Sequence, residues 1–130
     1  MTIVVGYVPT PEGEAALTQA IAEAKNRKDT LLVINSSKGD ALVDNRYAQE
    51  PDIQTVEDRL AQEGIQHTIK QPVRGHDAAA EVLDAADEHD AELIVIGLRR
   101  RSPVGKLIMG SVSQRILLEA DCPVLAVKAD

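Results

Sequence analysis

Three consecutive arginines at positions 99–101 form the densest positive charge of an otherwise acidic sequence. They follow an apolar segment typical of a buried strand and precede Gly110 and Ser111, where a helical pattern begins. The start of a helix has unpaired backbone N–H groups and the positive end of the helix dipole, so it attracts anions. This arrangement predicts a phosphate-binding loop, in which Ser111 caps the helix and offers its hydroxyl to the ligand. The alternative is a surface loop whose arginines are solvated or paired with acids of neighbouring helices.

Two common phosphate-binding motifs are absent. The stretch RRSPVGKL has Arg100 where a P-loop needs glycine, and Leu107 where it needs the serine or threonine that binds magnesium. The dinucleotide motif GxGxxG is also missing after the first predicted strand, where the first glycine lies inside the strand. A phosphate bound at this loop would therefore be held by neither motif.

Patterns for metal binding and hydrolysis are weak as well. Three histidines and one cysteine lie on different predicted elements at no metal-ligand spacing: His67, His76, His89 and Cys122. No serine lies in a GxSxG motif, the usual sign of a nucleophilic hydrolase in an α/β fold. The acids between positions 84 and 90 are interpreted as a solvated helix face, and Asp77 as an acid that stabilises the start of its helix. The sequence thus predicts no metal site and no catalytic residue.

Composition narrows the class of protein. The chain has 130 residues, 44% of them hydrophobic, which predicts one α/β domain over residues 1–130. There is no Phe or Trp, so a core of aliphatic residues is expected and stacking platforms for nucleic acid are not. The net charge of −7 argues against a general polyanion-binding surface. We expect no nucleic-acid partner.

Cysteine usage and hydropathy predict the compartment. A single cysteine, Cys122, excludes an internal disulfide. Neither a signal-like segment nor a run of about 18 apolar residues is found. We expect a soluble cytoplasmic protein without a membrane partner.

Apolar runs alternate with amphipathic segments in the order β-α-β-α-β-α-β-α-β. Strands are predicted at residues 2–8, 30–37, 65–73, 91–97 and 122–128. Helices are predicted at residues 11–28, 53–64, 76–90 and 111–121, with Thr10 as the first N-cap and Gly64 as a stop signal. The polar segment from Lys38 to Pro51 is predicted to be a surface loop. Strict alternation favours a doubly wound parallel sheet with helices on both faces, since parallel strands need crossover connections.

The chain resembles the small universal stress proteins over essentially its whole length. The resemblance lies in IVVGYVPTPEGEAAL, LLVINSS, AELIVIG and, most specifically, GSVSQRILLEADCPVLAVK. It implies a five-stranded parallel sheet of order 3-2-1-4-5 and a homodimer formed through the last strand, from Cys122 to Lys128. It also implies a role in the stress response.

Nucleotide-binding members of that family share a pattern of Gly, two residues, Gly, nine residues, then Gly followed by Ser or Thr. Here Gly97 matches the first glycine and Gly110 with Ser111 the last pair, but Arg100 replaces the middle glycine. Val8 stands where such relatives usually have an aspartate. The pocket that the resemblance implies is lined by Val8, Pro9, Thr10, Asn35, Ser36, Gly97, Arg100, Gly110, Ser111, Val112 and Ser113.

Three functions follow. The first is a homodimeric stress protein that binds adenine nucleotide (ATP, ADP or AMP) or another phosphate-bearing anion, with magnesium left open. The alternative, motivated by Val8 and Arg100, is a non-nucleotide-binding member that acts through protein–protein contacts. The third is slow nucleotide hydrolysis, which ranks last because no carboxylate is expected near the loop to position water.

Overall fold

The structure is a computed structural model that describes residues 1–35, 50–71, 77–101, 106–108 and 110–129. Its strands are β1 (Thr2–Gly6), β2 (Thr30–Ile34), β3 (His67–Lys70), β4 (Leu93–Arg101), β5 (Lys106–Ile108) and β6 (Val124–Lys128). Its helices are α1 (Pro11–Arg27), α2 (Glu50–Gln62), α3 (Ala78–Glu88) and α4 (Ser111–Glu119). None of the helices in this described part is long and apolar enough to cross a membrane.

Five strands form a parallel sheet in the order β3-β2-β1-β4-β6. Counted along the chain without β5, this is the order 3-2-1-4-5, so the predicted architecture is confirmed. The central strands read as continuous apolar runs because each is covered on both faces. Ile3, Val4 and Val5 of β1 are fully buried in this way.

Alternate residues of each strand fill the two halves of the core. Ile3, Val5 and Val33 point to one half, which also holds the buried residues of α1 and α2. Val4 and Ile94 point to the other half, together with the buried residues of α3 and α4. The period-two alternation of strand side chains thus sends each central strand into both layers.

The segment that contains the arginines is not the simple loop that we predicted between Gly97 and Gly110. Strand β4 continues past Gly97 to Arg101 and pairs antiparallel with β5, with Arg100 opposite Leu107. The prediction was wrong because the strand is extended by hydrogen bonds between backbone groups, which do not depend on side-chain type. A three-residue partner such as β5 is also too short for its pattern to be recognised.

Helix boundaries lie within two residues of the predicted ones except at the start of α2. That helix begins at Glu50, three residues before the predicted start, so Glu50 and Pro51 do not belong to a loop. Proline is well suited to a first helical turn, where its missing N–H costs no hydrogen bond. Gly64 ends the segment with φ of +70°, as a stop signal should. The rest of the predicted loop, residues 38–49, lies outside the described residues.

Candidate functional site

The winding of the parallel sheet reverses between β1 and β4, where a crevice for a ligand is expected. Strands β1 and β4 are parallel neighbours, with Val4 opposite Ile94. After β1 the chain continues to β2 on one side, and after β4 the parallel sheet continues to β6 on the other. Ligands of doubly wound sheets bind beyond the carboxyl ends of strands at such a reversal. The predicted residues from Val8 to Thr10 follow β1 at this edge, and α4 also begins there.

The turn between β1 and α1 is closed by its own hydrogen bonds. The hydroxyl of Thr10 accepts from the N–H of Gly13 at 3.2 Å and caps α1, as predicted. The Thr10 N–H donates to the carbonyl of Val8 at 2.8 Å. Glu12 and Glu14 add negative charge to the first turn. Both the cap and the acids make the start of α1 a poor site for an anion.

Two glycines allow this turn to pack tightly. A Cβ on Gly13 would lie 1.7 Å from the Val8 carbonyl oxygen, and a Cβ on Gly97 would lie 2.1 Å from the Glu12 carbonyl oxygen. Neither distance is possible, so both positions need glycine for the packing of α1 on the sheet. Packing against α1 is therefore sufficient to explain glycine at position 97, which was predicted to line the ligand pocket. Gly13 was not predicted from the sequence.

Asn35 joins three strands beside the crevice. It is fully buried, and its Nδ2 donates to the carbonyl of Tyr7 at 2.9 Å. Its Oδ1 accepts from Gln71 Nε2 at 3.0 Å. The carboxyl ends of β1, β2 and β3 are thereby held together through one side chain. Asn35 therefore has a structural role, its predicted contact with a ligand stays a prediction, and Ser36 lies outside the described residues.

Tyr7 also makes a structural contact. The ring is buried, and its hydroxyl donates to Glu14 Oε1 at 2.6 Å. Burial first, and then the hydrogen bond and charge of Glu14, raise the pKa of the Tyr7 phenol well above its usual range. Tyr7 therefore stays neutral and does not act as a base.

The start of α4 differs from that of α1. Its N-cap is Gly110, which makes no side-chain capping bond, and its first turn contains no acid. Our prediction that Ser111 caps this helix was wrong, because Ser111 is already its first helical residue. Gly110 and Ser111 are exposed, whereas Val112 packs against the core and Ser113 is half-buried. Because the described residues provide neither a side-chain cap nor an acid in this turn, the positive end of the helix dipole suits an anion.

Arg115, one turn further along α4, was not singled out from the sequence. Its guanidinium donates to Asp77 Oδ2 and, through Nε, to Glu119 Oε2 at 2.9 Å. Asp77 is at the same time the N-cap of α3, where its Oδ1 accepts from the Ala79 N–H at 2.9 Å. The cap confirms that Asp77 stabilises the start of its helix. Only the i,i+4 spacing of Arg115 and Glu119 was visible in the sequence.

The pairing of β4 with β5 gives the backbone position of Arg100, the remaining residue of the predicted site. It lies near the end of β4, opposite Leu107 of β5, beyond the point where β4 leaves β6. This places it at the carboxyl edge of the sheet with Gly97 and the start of α4.

Other titratable groups have ordinary structural roles. Burial, and then the charge of Asp121, raise the pKa of the Cys122 thiol, so it stays protonated. His67 contacts the Ile65 carbonyl at 2.8 Å and Glu57 Oε1 at 2.9 Å. Within the described ranges, no group of three or more His, Cys, Asp or Glu side chains has an arrangement that would hold a metal ion.

A second concavity lies at the opposite, amino-terminal edge of the sheet. Its volume is about 120 Å³, and its apolar floor includes Leu83 and Ile94. Its rim is acidic, with Asp87, Asp90 and Glu119 among its lining residues. Because carboxylates repel phosphate, an anionic ligand is expected at the carboxyl edge and not here.

Comparison with known proteins identifies the family. The profile of the Universal stress protein family matches residues 1–128. The chain belongs to the universal stress protein family. A universal stress protein of Mycolicibacterium smegmatis is 55% identical over 126 residues, which cover 97% of this chain and 96% of that protein.

Solved structures of family members share the fold. The universal stress protein of Archaeoglobus fulgidus in complex with dAMP is 30% identical, with a TM-score of 0.68, and the match covers 98% of both chains. A family protein of Arabidopsis thaliana with AMP bound has a TM-score of 0.66 over 100% of this chain and 92% of its own. At 12% identity, the second protein supports the fold alone.

Proposed function

We propose that this universal stress protein binds an adenine nucleotide (ATP, ADP or AMP) at the carboxyl edge of the sheet, with its phosphates at the start of α4. The observation that carries the proposal is the difference between helix starts. Side chains of Thr10 and Asp77 cap α1 and α3, and both first turns contain acids. Helix α4 begins with a glycine cap and no acid. Of these three helix starts, α4 is therefore the one whose charge favours a phosphate.

The related protein from Archaeoglobus fulgidus supports the choice of ligand, since it was solved with dAMP. In this chain the nucleoside would lie toward Val8, Pro9 and Thr10, beside Asn35 and Ser36. The phosphates would lie toward Gly110, Ser111, Val112 and Ser113, beside Gly97 and Arg100. Val8 offers no carboxylate to the nucleotide, so we expect the phosphates to supply most of the affinity.

Calorimetry tests this proposal directly. The protein is unfolded, freed of small molecules and refolded, and ATP, ADP, AMP and adenosine are titrated separately. We expect affinity to increase with the number of phosphates and to be weakest for adenosine, because the donors at α4 act on charge. Absence of binding by all three nucleotides would reject the proposal.

We also propose that the protein is a homodimer formed through β6. This strand lies at the end of the parallel sheet, and Val124, Leu125, Ala126 and Val127 are only half-buried. A partner strand would pair its free backbone groups and cover these side chains. Sedimentation at micromolar concentration should give the mass of a dimer, whereas a monomer would contradict this part of the proposal.

A second candidate function is protein–protein interaction, and one observation favours it. Leu118 on α4 is 84% exposed and the adjacent Leu117 is 38% exposed. Two adjacent exposed leucines on one helix form an apolar surface that a partner protein would cover. If nucleotide binding is absent and the dimer persists after Leu118→Ser, this surface is available to another protein.

A further inference from the structure

The pair formed by Arg115 and Asp77 links the starts of α3 and α4. Arg115 belongs to α4, and Asp77 immediately precedes α3. Both side chains remain accessible, with exposed fractions of 39% for Arg115 and 50% for Asp77. Glu119 provides Arg115 with a second acidic partner. The guanidinium is therefore shared between two carboxylates at the surface and is not buried in a fixed salt bridge.

The position of Arg115 on α4 connects this pair to the proposed nucleotide site. Ser111 and Arg115 are separated by four residues, so they are neighbours on one face of the helix. The rise between them is about 6 Å, which is within one Debye length at physiological salt. A charge at Arg115 or Asp77 therefore acts on a phosphate bound at the first turn of α4.

We infer that Arg115 and Asp77 together set the preference of this site for the charge of the nucleotide, an inference that rests on the nucleotide site proposed above. Arg115 neutralises Asp77, an acid that would otherwise repel the phosphates. Asp77 in turn draws the guanidinium away from the first turn of α4 and limits its contribution to phosphate binding. The pair itself contributes no net charge while Glu119 adds one negative charge, and either single substitution of the pair moves the local charge in a known direction.

Two conservative substitutions separate these effects. Asp77→Asn keeps the N-cap of α3, because Asn and Asp are equally good caps, and it removes one of the two negative charges beside Arg115. We expect ATP to bind about three- to tenfold more tightly. Arg115→Gln leaves Asp77 unpaired, and ATP should bind about three- to tenfold more weakly. The double variant restores the net charge of the wild type and should bind ATP as the wild type does.

Adenosine and distant substitutions serve as controls in the same calorimetric series. The affinity for adenosine should not change in any variant, since it has no phosphate; a parallel change would show a structural effect and overturn the inference. Arg27→Gln and Asp87→Asn change the net charge equally at the other edge of the sheet and should leave ATP affinity unchanged.

The outcomes also distinguish this inference from the proposed function. If the wild type binds no nucleotide, the proposed function fails. If the wild type binds ATP but the two single variants do not shift its affinity in opposite directions, the charge-setting role of Arg115 and Asp77 is rejected and nucleotide binding stands.

Discussion

Two helices that begin at the same edge of the sheet have opposite surroundings. The start of α1 is capped by Thr10, contains two acids and packs against the turn after β1. The start of α4 is capped by Gly110, contains no acid, and leaves space around that glycine. In the first case the protein satisfies the helix end with its own groups. In the second no described side chain caps the helix and no acid offsets the positive end of its dipole, so the start of α4 is where a phosphate is expected.

The largest expected effect tests whether the start of α1 is tightly packed and the start of α4 is not. Gly97→Ala would place a methyl group 2.1 Å from the Glu12 carbonyl oxygen, and Gly13→Ala would place one 1.7 Å from that of Val8. Each should lower the free energy of unfolding by about 3 kcal/mol or more, because backbone must move. Urea denaturation measures the change.

Gly110→Ala is the matched control for those two variants. A Cβ at Gly110 would meet no atom within 4 Å, and its φ of −69° is ordinary for alanine. We expect a loss of about 1 kcal/mol or less, because alanine is a poorer N-cap than glycine but meets no steric obstacle here. Equal destabilisation at all three glycines would show that the two helix starts do not differ in packing.

An intermediate effect is expected when α4 is given the kind of start that α1 has. Gly110→Asp supplies an acidic cap that accepts from the first-turn N–H groups and repels phosphate. ATP affinity should fall about tenfold or more, given the strength of charge-assisted contacts, while thermal stability stays equal or rises slightly.

Gly110→Asn separates charge from capping in that experiment. Asparagine caps a helix as well as aspartate but has no charge, so its effect on ATP affinity should be clearly smaller. If the two variants weaken ATP equally, occupation of the N–H groups and not charge controls the site; if neither does, the phosphates do not bind at α4.

Burial explains which parts of this structure could be predicted from sequence. Strands β1, β2 and β4 read as apolar runs because both faces are covered, and the alternation with helices then determines a parallel sheet. The Thr10 cap and the Gly64 stop are local signals and were predicted correctly. Strand β5 was missed because three residues held by backbone pairing leave no distinctive side-chain pattern.

The candidate site was less predictable because its contacts join distant parts of the chain. The positions of Gly110 and Ser111 at a helix start follow from local sequence. The contact between Arg115 and Asp77 spans 38 residues, and the one between Asn35 and Tyr7 spans 28. Such contacts depend on how elements pack, so the sequence alone does not show that Asn35 holds strands together or that Asp77 is neutralised.

The smallest expected effect concerns a pair that lies away from both helix starts and therefore tests whether binding responds only to the carboxyl edge. His67 begins β3 and contacts Glu57 of α2 at the amino-terminal edge. Burial lowers the pKa of the His67 imidazole, but its contacts with the Ile65 carbonyl and Glu57 raise it more, so the net shift is upward. Because the pKa is raised in the folded state, protonated His67 stabilises the protein below the pKa of the unfolded state, and this effect is lost as pH rises through the pKa of the folded state.

Glu57→Gln should therefore lower the free energy of unfolding by about 0.5 kcal/mol near pH 5.5 and by almost nothing near pH 8.5, as is usual for an accessible pair. Denaturation at the two pH values measures this difference, and ATP affinity measured on the same samples should be equal for wild type and variant at each pH. A loss of ATP affinity in Glu57→Gln would mean that the two edges of the sheet are coupled, and the contrast between α1 and α4 would then not be sufficient to explain binding.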